Sequence, residues 1–496
     1  MNEDPWRTPV IVAAAQHTER NDIVTPIGLA ESVAAQALDE APGMSPFIDR
    51  LNVVGILFGG GDAPASTLAA HFGLEAAECA TTAIGGNTPQ WLVGRAADDV
   101  AAGHVGAVLI VGAEAVRSQG LARVKPEATE RAPDRIEGDS RPGVSDEEIA
   151  AGLALPVRVY PLFESVLAAR AGRSIEEQRV ALGELMASFS AVASANPHAW
   201  FPERLDADAI AVPSSDNRIV AEPYTKRMNA FLNVDQGAAV VVTSLGRARE
   251  LGLGDRVVFV WSVADANDVW FPSQRPDLGR SDGIEAAGTE ALRAAGVGID
   301  DVALFDLYSC FPSAVQFAAA ALGLDPLDGR GLTVTGGLPY FGGPGNNYTT
   351  HAIVTMMEQL REGPADRLGL VSGLGWFITK HSIGVYGASP PPQGYRRGDT
   401  SAAQSRINSS AIPTLESASG EEAVVEASTV IYDRDGAVTA APVIARTNDG
   451  RRLAARAAPP DLPAMRGRAL VGATVRVDGR RPTYQIIDTA AETKAS

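Results

Sequence analysis

Short apolar runs alternate with longer amphipathic stretches along the first 387 residues. The stretches carry helix start and stop signals, such as Pro26 directly after Thr25 at one start and Gly103 at one end. The apolar runs are rich in Val, Ile, Leu and Ala and have the length of buried strands, at residues 10–14, 53–58, 107–111, 238–242 and 302–307. This alternation predicts a two-part α/β core.

The alternation is interrupted between residues 115 and 215. A charged loop at 125–148 is followed by two helical stretches at 160–171 and 175–193. We therefore predict an N-terminal half over residues 1–235 that includes this segment as an insertion, and a C-terminal half over 236–387.

A weak internal repeat links the two halves. Gly85-Gly86 precedes a helix and then the run at 107–111, and Gly342-Gly343 precedes a predicted helix at 346–361 and a strand at 368–371. Glycine at a helix N-terminus lets a ligand approach the backbone, where the helix dipole attracts negative charge. This pattern predicts ligand-binding positions at Gly86, Asn87, Gly343 and Gly345. The alternative, that the glycines only form tight turns, stays open.

The composition changes after residue 387. Residues 388–410 are rich in Pro, Ser and Arg, which is typical of a linker. The following residues lack helical periodicity and form strand-like runs between turn signals, at 423–432, 437–447, 452–457, 469–477 and 483–487. Residues 411–496 are therefore predicted to form a small all-β barrel domain.

Charge and cysteine content narrow the possible functions. A formal net charge of −18 disfavours nucleic-acid binding, because phosphate backbones repel an acidic chain. Two cysteines fit a reduced cytoplasmic protein better than a disulfide scaffold. No apolar run has membrane-spanning length, and no Cys/His spacing predicts a metal site.

Several motifs together resemble the thiolase superfamily. Residues 335–345, TGGLPYFGGPG, resemble the loop that leads into its Gly-His-Pro motif, and residues 305–311, FDLYSCF, resemble its Asn-Glu-Ala-Phe or His-Asp-Cys-Phe motif. Residues 106–114 and 233–239 resemble two further elements, so the resemblance covers about residues 8–387. It is strongest to the sterol-carrier-protein-type thiolase branch, and the added β domain resembles the mycobacterial thiolase-like proteins of type 1. The expected fold class is thus α/β, a duplicated thiolase fold followed by an all-β barrel.

The resemblance implies four catalytic positions, and this chain departs from the family at each of them. Gly86 stands at the nucleophilic cysteine, Tyr308 at the Asn or His of the oxyanion hole, and Gly343 at the histidine. Gly373, or Ser372 after a one-residue shift, stands at the acid/base cysteine. We therefore expect a protein that binds acyl-CoA or another small hydrophobic ligand but performs neither thiolysis nor Claisen condensation.

Two other functions remain open. An acyltransferase with a rearranged site could use Tyr308, Cys310, His351 or His381, the last of which follows Lys380. A non-enzymatic scaffold could bind a protein partner through the C-terminal domain. The sequence leaves both a monomer and a homodimer open.

Overall fold

The computed structural model describes residues 4–122, 131–480 and 482–488. Part of the predicted charged loop, residues 125–130, lies outside the described residues. The elements of the first half up to the insertion are β1 (Pro9–Thr18), α1 (Pro26–Glu40), β2 (Ile48–Val53), α2 (Pro64–His71), β3 (Glu78–Thr82), α3 (Thr88–Ala102) and β4 (Ala107–Ala115).

The insertion is mostly helical and the second half repeats the α/β alternation. The insertion contains α4 (Val116–Ala122), β5 (Arg135–Glu137), α5 (Asp146–Ala150), α6 (Pro156–Arg170), α7 (Ile175–Ala195), α8 (Ala207–Ala211), β6 (Ile219–Ala221) and β7 (Tyr224–Thr225). The chain continues with β8 (Asp235–Ser244), α9 (Leu245–Glu250), β9 (Val258–Asn267), α10 (Asp282–Ala295), β10 (Val302–Asp306), α11 (Pro312–Leu322), α12 (Tyr348–Glu362), β11 (Leu368–Gly375) and β12 (Lys380–Gly387).

Strand pairing shows the duplication that the sequence predicts. β8 follows the insertion in sequence but belongs to the sheet of the first half: β1 pairs antiparallel with β8, β8 antiparallel with β4, and β4 parallel with β2. In the second half β9, β12, β11 and β10 repeat this order and these directions. A short antiparallel contact between β1 and β9, at Val10 opposite Phe259, joins the halves into one sheet. The predicted duplicated α/β core is confirmed.

Two helices lie between the halves. Both α3 and α12 contact β1, β8, β9 and β11, and they also contact each other. Most of their side chains are buried, whereas α1 and α10 cover the outer faces and keep exposed sides. Small and apolar residues form most of the buried side of α3, and its charged residues Arg95, Asp98 and Asp99 are half-buried. This packing places the two helix N-termini side by side.

The outermost strand on one side of the sheet comes from the insertion. β5 pairs parallel with β3, with Ala80 opposite Arg135, and thereby covers the edge that β3 would otherwise leave open. Its sequence, Arg-Ile-Glu, is too short to show a strand period, so the sequence predicted only a loop here.

The strand predicted at 53–58 is displaced in the structure. The strand is Ile48–Val53, and the following residues form a loop packed on β3, where a Cβ at Gly55 would lie 2.5 Å from the Thr82 carbonyl oxygen. The strand starts with polar residues that bind neighbours, Asp49 accepting from the Gly106 N–H and Arg50 pairing with Asp99. Because these residues are charged, a search for apolar runs misses this part of the strand and predicts it at 53–58 instead of Ile48–Val53.

The segment 388–410, predicted as a linker, contains β13 (Arg396–Arg397), paired with β9, and α13 (Ser401–Ser409). Gln404 anchors the helix, since its amide accepts from the Asn267 N–H and donates to the Asn267 carbonyl. Only Ile407 of this helix is buried, so the sequence shows no apolar period there. No helix in the described ranges is long and apolar enough to cross a membrane.

The C-terminal strands form a closed barrel, as the sequence predicts. They are β14 (Ala418–Ser428), β17 (Pro442–Thr447), β18 (Arg452–Ala457), β20 (Thr483–Asp488) and β19 (Thr474–Gly479), in that spatial order, and β18 runs parallel to β20. The interior is apolar and includes Val425, Val443, Leu453 and Val475. β19 alternates buried and exposed residues with the strand period of two, whereas β17 and β18 are buried at most positions.

The barrel is joined to the insertion by a separate small sheet. Its strand β15 (Ile431–Tyr432) pairs on one side with β16 (Val438–Ala440) and on the other with β6, which lies in the insertion. The Tyr432 hydroxyl donates to Glu222 over 3.0 Å, and Arg452, which is 2% exposed, donates to the backbone carbonyl of Arg275. The predicted runs 423–432 and 437–447 are each divided between the barrel and this sheet.

Candidate functional site

The N-termini of α3 and α12 meet at the two glycine motifs. The Gly85 N–H donates to the Asn346 side chain over 2.9 Å, and the Thr349 hydroxyl donates to the Gly86 carbonyl over 2.7 Å. Gly85 has a φ of 157°, in the region that favours glycine. The internal repeat of the sequence thus corresponds to one place in the structure, where both helices begin.

The space beside Gly86 is occupied by Tyr308. A Cβ at Gly86 would lie 2.1 Å from the Tyr308 Oη and 2.7 Å from the Leu374 carbonyl oxygen, far inside van der Waals contact. Tyr308 is held by its own N–H, which donates to the Ser372 Oγ over 2.9 Å, and by edge contact with the ring of Tyr348. Burial raises the pKa of the Tyr308 phenol, so this hydroxyl stays protonated.

Gly373 also has no room for a side chain. A Cβ there would lie 2.8 Å from the Asn87 Cα and 3.2 Å from the Gly86 carbonyl oxygen, both backbone atoms that cannot rotate away. Ser372 accepts the Tyr308 N–H and so has a structural role. The cavity left between Tyr308, Ser372 and Leu374 is about 10 Å³, space for a single water at most.

Gly343 differs from these two glycines because space remains beside it. A Cβ there would meet only Leu232, the Phe231 carbonyl and Leu338, at 3.4 to 3.5 Å, which is ordinary contact. Its N–H donates to the Phe231 carbonyl over 2.9 Å. Leu232 is 48% exposed and the nearby Phe201, stacked edge-on against Phe231, is 39% exposed. Gly343 therefore borders an accessible apolar surface.

Gly345 packs against a buried carboxyl group. Its φ is 53°, and a Cβ there would lie 2.4 Å from a Glu114 Oε1. Glu114 accepts the Leu57 N–H over 2.6 Å, while its other oxygen has no partner among the described residues. Burial raises the pKa of Glu114 to about 7 against the opposing effect of the backbone N–H groups. Glu114 ends the motif at residues 106–114, but the sequence does not indicate that its pKa is raised.

Cys310 and His351 are buried with different partners. Burial raises the pKa of the Cys310 thiol to about 12, and its neighbour is the Tyr160 hydroxyl. The His351 Nδ1 lies 3.0 Å from the Gln16 Oε1, its ring packs edge-on against Phe341, and burial lowers its pKa to about 3. A protonated thiol and a neutral imidazole with separate partners do not form a nucleophile–base pair.

His381 belongs to a buried polar cluster on the outer face of β12. Its Nε2 lies 2.8 Å from an Asp268 oxygen and 3.4 Å from the Ser281 Oγ. Burial acts to raise the pKa of Asp268, but the hydrogen bond and charge of His381 outweigh it and hold that pKa low. Ser281 also caps α10 by accepting the Ile284 N–H. Serine and aspartate contact the same ring nitrogen, unlike a catalytic relay in which they take opposite nitrogens.

Lys380 points to the opposite face of the strand, toward the start of α3. Its Nζ donates to the Ile84 carbonyl over 2.5 Å and to the Asp139 carbonyl at 3.3 Å. Lys380 and His381 are neighbours in sequence, yet their side chains lie on opposite faces of β12. Strand alternation, which sends consecutive side chains to opposite faces, is the signal that separates the two.

Comparisons with known proteins agree with this architecture. The family model of the thiolase-like protein type 1 additional C-terminal domain matches residues 403–480. A monomeric SCP2-thiolase-like protein type 1 from Mycobacterium smegmatis is 31% identical, with 97% of this chain and 99% of that chain covered and a TM-score of 0.84. Comparison with curated protein sequences finds no match.

Two more distant structures share the core fold. The dimeric peroxisomal thiolase of Saccharomyces cerevisiae is 15% identical, covering 78% of this chain and 99% of its own, with a TM-score of 0.58. The Ltp2-ChsH2(DUF35) aldolase is 18% identical, covering 77% of this chain and 98% of its own, with a TM-score of 0.61. Both cover about the length of the two α/β halves.

Proposed function

The chain belongs to the SCP2-thiolase-like protein type 1 family, and from this premise we propose that it performs neither thiolysis nor Claisen condensation. The observation that carries the proposal is the Tyr308 hydroxyl, which lies where a side chain at Gly86 would be. A thiolase reaction needs a thiolate at this helix N-terminus, and position 86 offers neither the sulfur nor the room for it.

The other positions that correspond to thiolase catalytic residues do not supply the missing chemistry. The Tyr308 phenol stays protonated, Gly373 has no space for an acid/base side chain, and Gly343 has no side chain at all. Covalent catalysis of this kind needs a nucleophile and proton-transfer groups acting together. These three positions support a core that keeps the fold without the reaction.

The proposed ligand is an acyl-CoA that stays unreacted, with its acyl group against Gly343 rather than Gly86. The room for a Cβ at Gly343 and the half-exposed Leu232 and Phe201 beside it support this position, because exposed apolar side chains favour an apolar ligand. The Tyr308 hydroxyl, which fills the space beside Gly86, opposes insertion of the acyl group there.

Calorimetry with CoA, acetyl-CoA and a long-chain acyl-CoA tests the ligand, with intact mass measured on the same samples. Leu232→Glu should abolish binding of the long-chain acyl-CoA, whereas Leu327→Glu, at a leucine 56% exposed elsewhere, should not. If the wild-type protein binds none of these compounds, the proposal of an acyl-CoA ligand is wrong and the scaffold alternative is favoured. A covalent acyl adduct would favour the acyltransferase alternative. Turnover of acetoacetyl-CoA with CoA above a no-protein control would overturn the main proposal.

Further proposals concern the cellular compartment and the partners of the chain. Cys79 and Cys310 are free thiols, which supports a reducing compartment such as the cytoplasm. A protein partner at the C-terminal domain would have to use barrel surface that the insertion leaves uncovered, since β15 and Tyr432 already contact the insertion. Both a monomer and a homodimer stay open as the assembly of this chain.

A further inference from the structure

A second cavity, of about 170 Å³, lies beside the first turns of α3. Its walls come from α3, β9, β12, α13 and the loop after β5, and its side chains include Trp91, Asn267, Lys380, Ser382 and Gln404. It is separate from the cavity of about 10 Å³ under Tyr308.

The polar wall of this cavity follows from strand pairing. Lys380 lies opposite Asn267 and Ser382 opposite Asp265 on the antiparallel strands β12 and β9. Residues two apart on a strand share a face, so all four belong to the face that covers α3. The Asn87 amide, 3.4 Å from the Ser382 Oγ, shows that this face meets the start of the helix.

Lys380 has an unusual environment for a lysine. It is 3% exposed, and among the described residues it forms no ion pair; its Nζ hydrogen bonds go to the carbonyls of Ile84 and Asp139. Burial lowers the pKa of Lys380 to about 8 and Arg141 adds to the effect, while Asp139 opposes it. A buried cation without a carboxylate partner is costly, and a neutral amine avoids this cost.

Lysine is rare in this chain, so a lysine at position 380 is unusual. Only four of the 42 basic residues are lysines, at 125, 226, 380 and 494. Arginine keeps its charge in proteins, whereas lysine can lose its proton and act as a nucleophile when buried. The single cation that lines this cavity from β12 is therefore the one type that can become a neutral amine.

We propose that Lys380 binds a small aldehyde or ketone in this cavity as an imine. The amine nitrogen attacks the carbonyl carbon, and the carbonyl oxygen takes up a proton to give a carbinolamine. Loss of the hydroxyl group as water then leaves a C=N bond, so one carbonyl compound and one amine become one imine and one water. Protons exchange with solvent, and the step needs no oxidant or reductant.

The remaining walls define the ligand class. Trp91 supplies an aromatic surface, and Ser382, Asn267 and Gln404 supply uncharged hydrogen-bonding groups. Asp265 also lines the cavity, and Arg397 is its ion-pair partner, so the described part of the wall offers no second free cation for an anion. A neutral, hydroxylated carbonyl compound fits these groups better than a carboxylate.

Reductive trapping tests the proposal on the full chain. The protein is incubated with hydroxyacetone and sodium cyanoborohydride, and the adduct is located by peptide mapping. Because the pKa is lowered, we expect Lys380 to be labelled about tenfold faster than the exposed Lys226 near neutral pH. Lys380→Met should remove the rapid adduct, and the matched control Lys226→Met should keep it. Pyruvate replaces hydroxyacetone to test the anionic class, and labelling by pyruvate at an equal rate would overturn the neutral-ligand assignment.

A second measurement keeps the test independent of how Lys380→Met folds. Wild-type protein unfolded in urea before labelling should lose the difference between Lys380 and Lys226, because the cavity no longer exists. Labelling of Lys226 at the same rate as Lys380, or faster, in the folded chain would overturn the proposal. Neither result depends on acyl-CoA binding.

Discussion

Replacing Gly86 with alanine tests whether Tyr308 fills the place of a side chain at the start of α3. The added Cβ would lie 2.1 Å from the Tyr308 Oη, 2.6 Å from its Cζ and 2.7 Å from the Leu374 carbonyl oxygen. Ordinary contact begins near 3.4 Å, so the ring must move by about 1 Å in a packed core. We expect Gly86→Ala to lower the free energy of unfolding by about 2 kcal/mol.

A double-mutant cycle with Tyr308→Ala isolates the contact. Tyr308→Ala alone removes a buried ring and should cost about 3–5 kcal/mol. In that background two of the three close atoms are gone and only the Leu374 carbonyl remains, so Gly86→Ala should cost about 1 kcal/mol or less. The expected coupling between the two positions is therefore about 1–2 kcal/mol.

Urea unfolding followed by circular dichroism measures these differences. Gly343→Ala is the matched control, since the same substitution there meets nothing closer than 3.4 Å and should be neutral or stabilise by up to about 1 kcal/mol. An equal cost of Gly86→Ala in the wild-type and Tyr308→Ala backgrounds would refute the reasoning, as would a Gly343→Ala variant that is destabilised as much as Gly86→Ala.

Two further predictions concern buried titratable groups. Burial raises the pKa of Glu114 to about 7, so the folded chain keeps a proton that the unfolded chain releases near pH 4.5. The stability that comes from this proton is fully present below about pH 4.5 and is lost as the pH rises to about 7. Glu114→Gln should not show this loss, so its free energy of unfolding relative to wild type should rise by about 3 kcal/mol between these pH values. Urea unfolding measured as a function of pH tests this, and wild-type and Glu114→Gln stabilities that change in parallel with pH would contradict it. With a thiol pKa of about 12, Cys310 should resist iodoacetamide at pH 8 in the folded chain and react after unfolding, as intact mass and peptide mapping would show; rapid native alkylation at Cys310 would contradict its burial.

The duplicated core was predictable because its signals are local. Apolar runs such as residues 107–111 and glycines before α3 and α12 are read from a few consecutive residues. Motif matching also located Gly86, Gly343 and Gly373 as the positions that differ from thiolases. It could not distinguish Gly86, where a Cβ would clash, from Gly343, where a Cβ has room, because that difference depends on Tyr308 and Leu232, which are distant in sequence from the glycines they contact.

Elements held by tertiary contacts were the ones that the sequence did not predict. α13 has a single buried side chain and is fixed by hydrogen bonds from Gln404 to Asn267, so its composition is that of a linker. The cavity at Lys380 depends on the register of β12 with β9, which no local pattern specifies. Propensity and periodicity describe a segment by itself, whereas these features arise between segments.

β5 affects whether the chain aggregates before it is fully folded. The edge of β3 presents unpaired N–H and C=O groups that recruit strands from other molecules, and the three residues of β5 close it from within the same chain. Since β5 follows β3 by more than one helix, a nascent or truncated chain ending before Arg135 exposes that edge. Fragments of this protein that end before Arg135 should therefore aggregate, while a chain that includes β5 covers this edge itself.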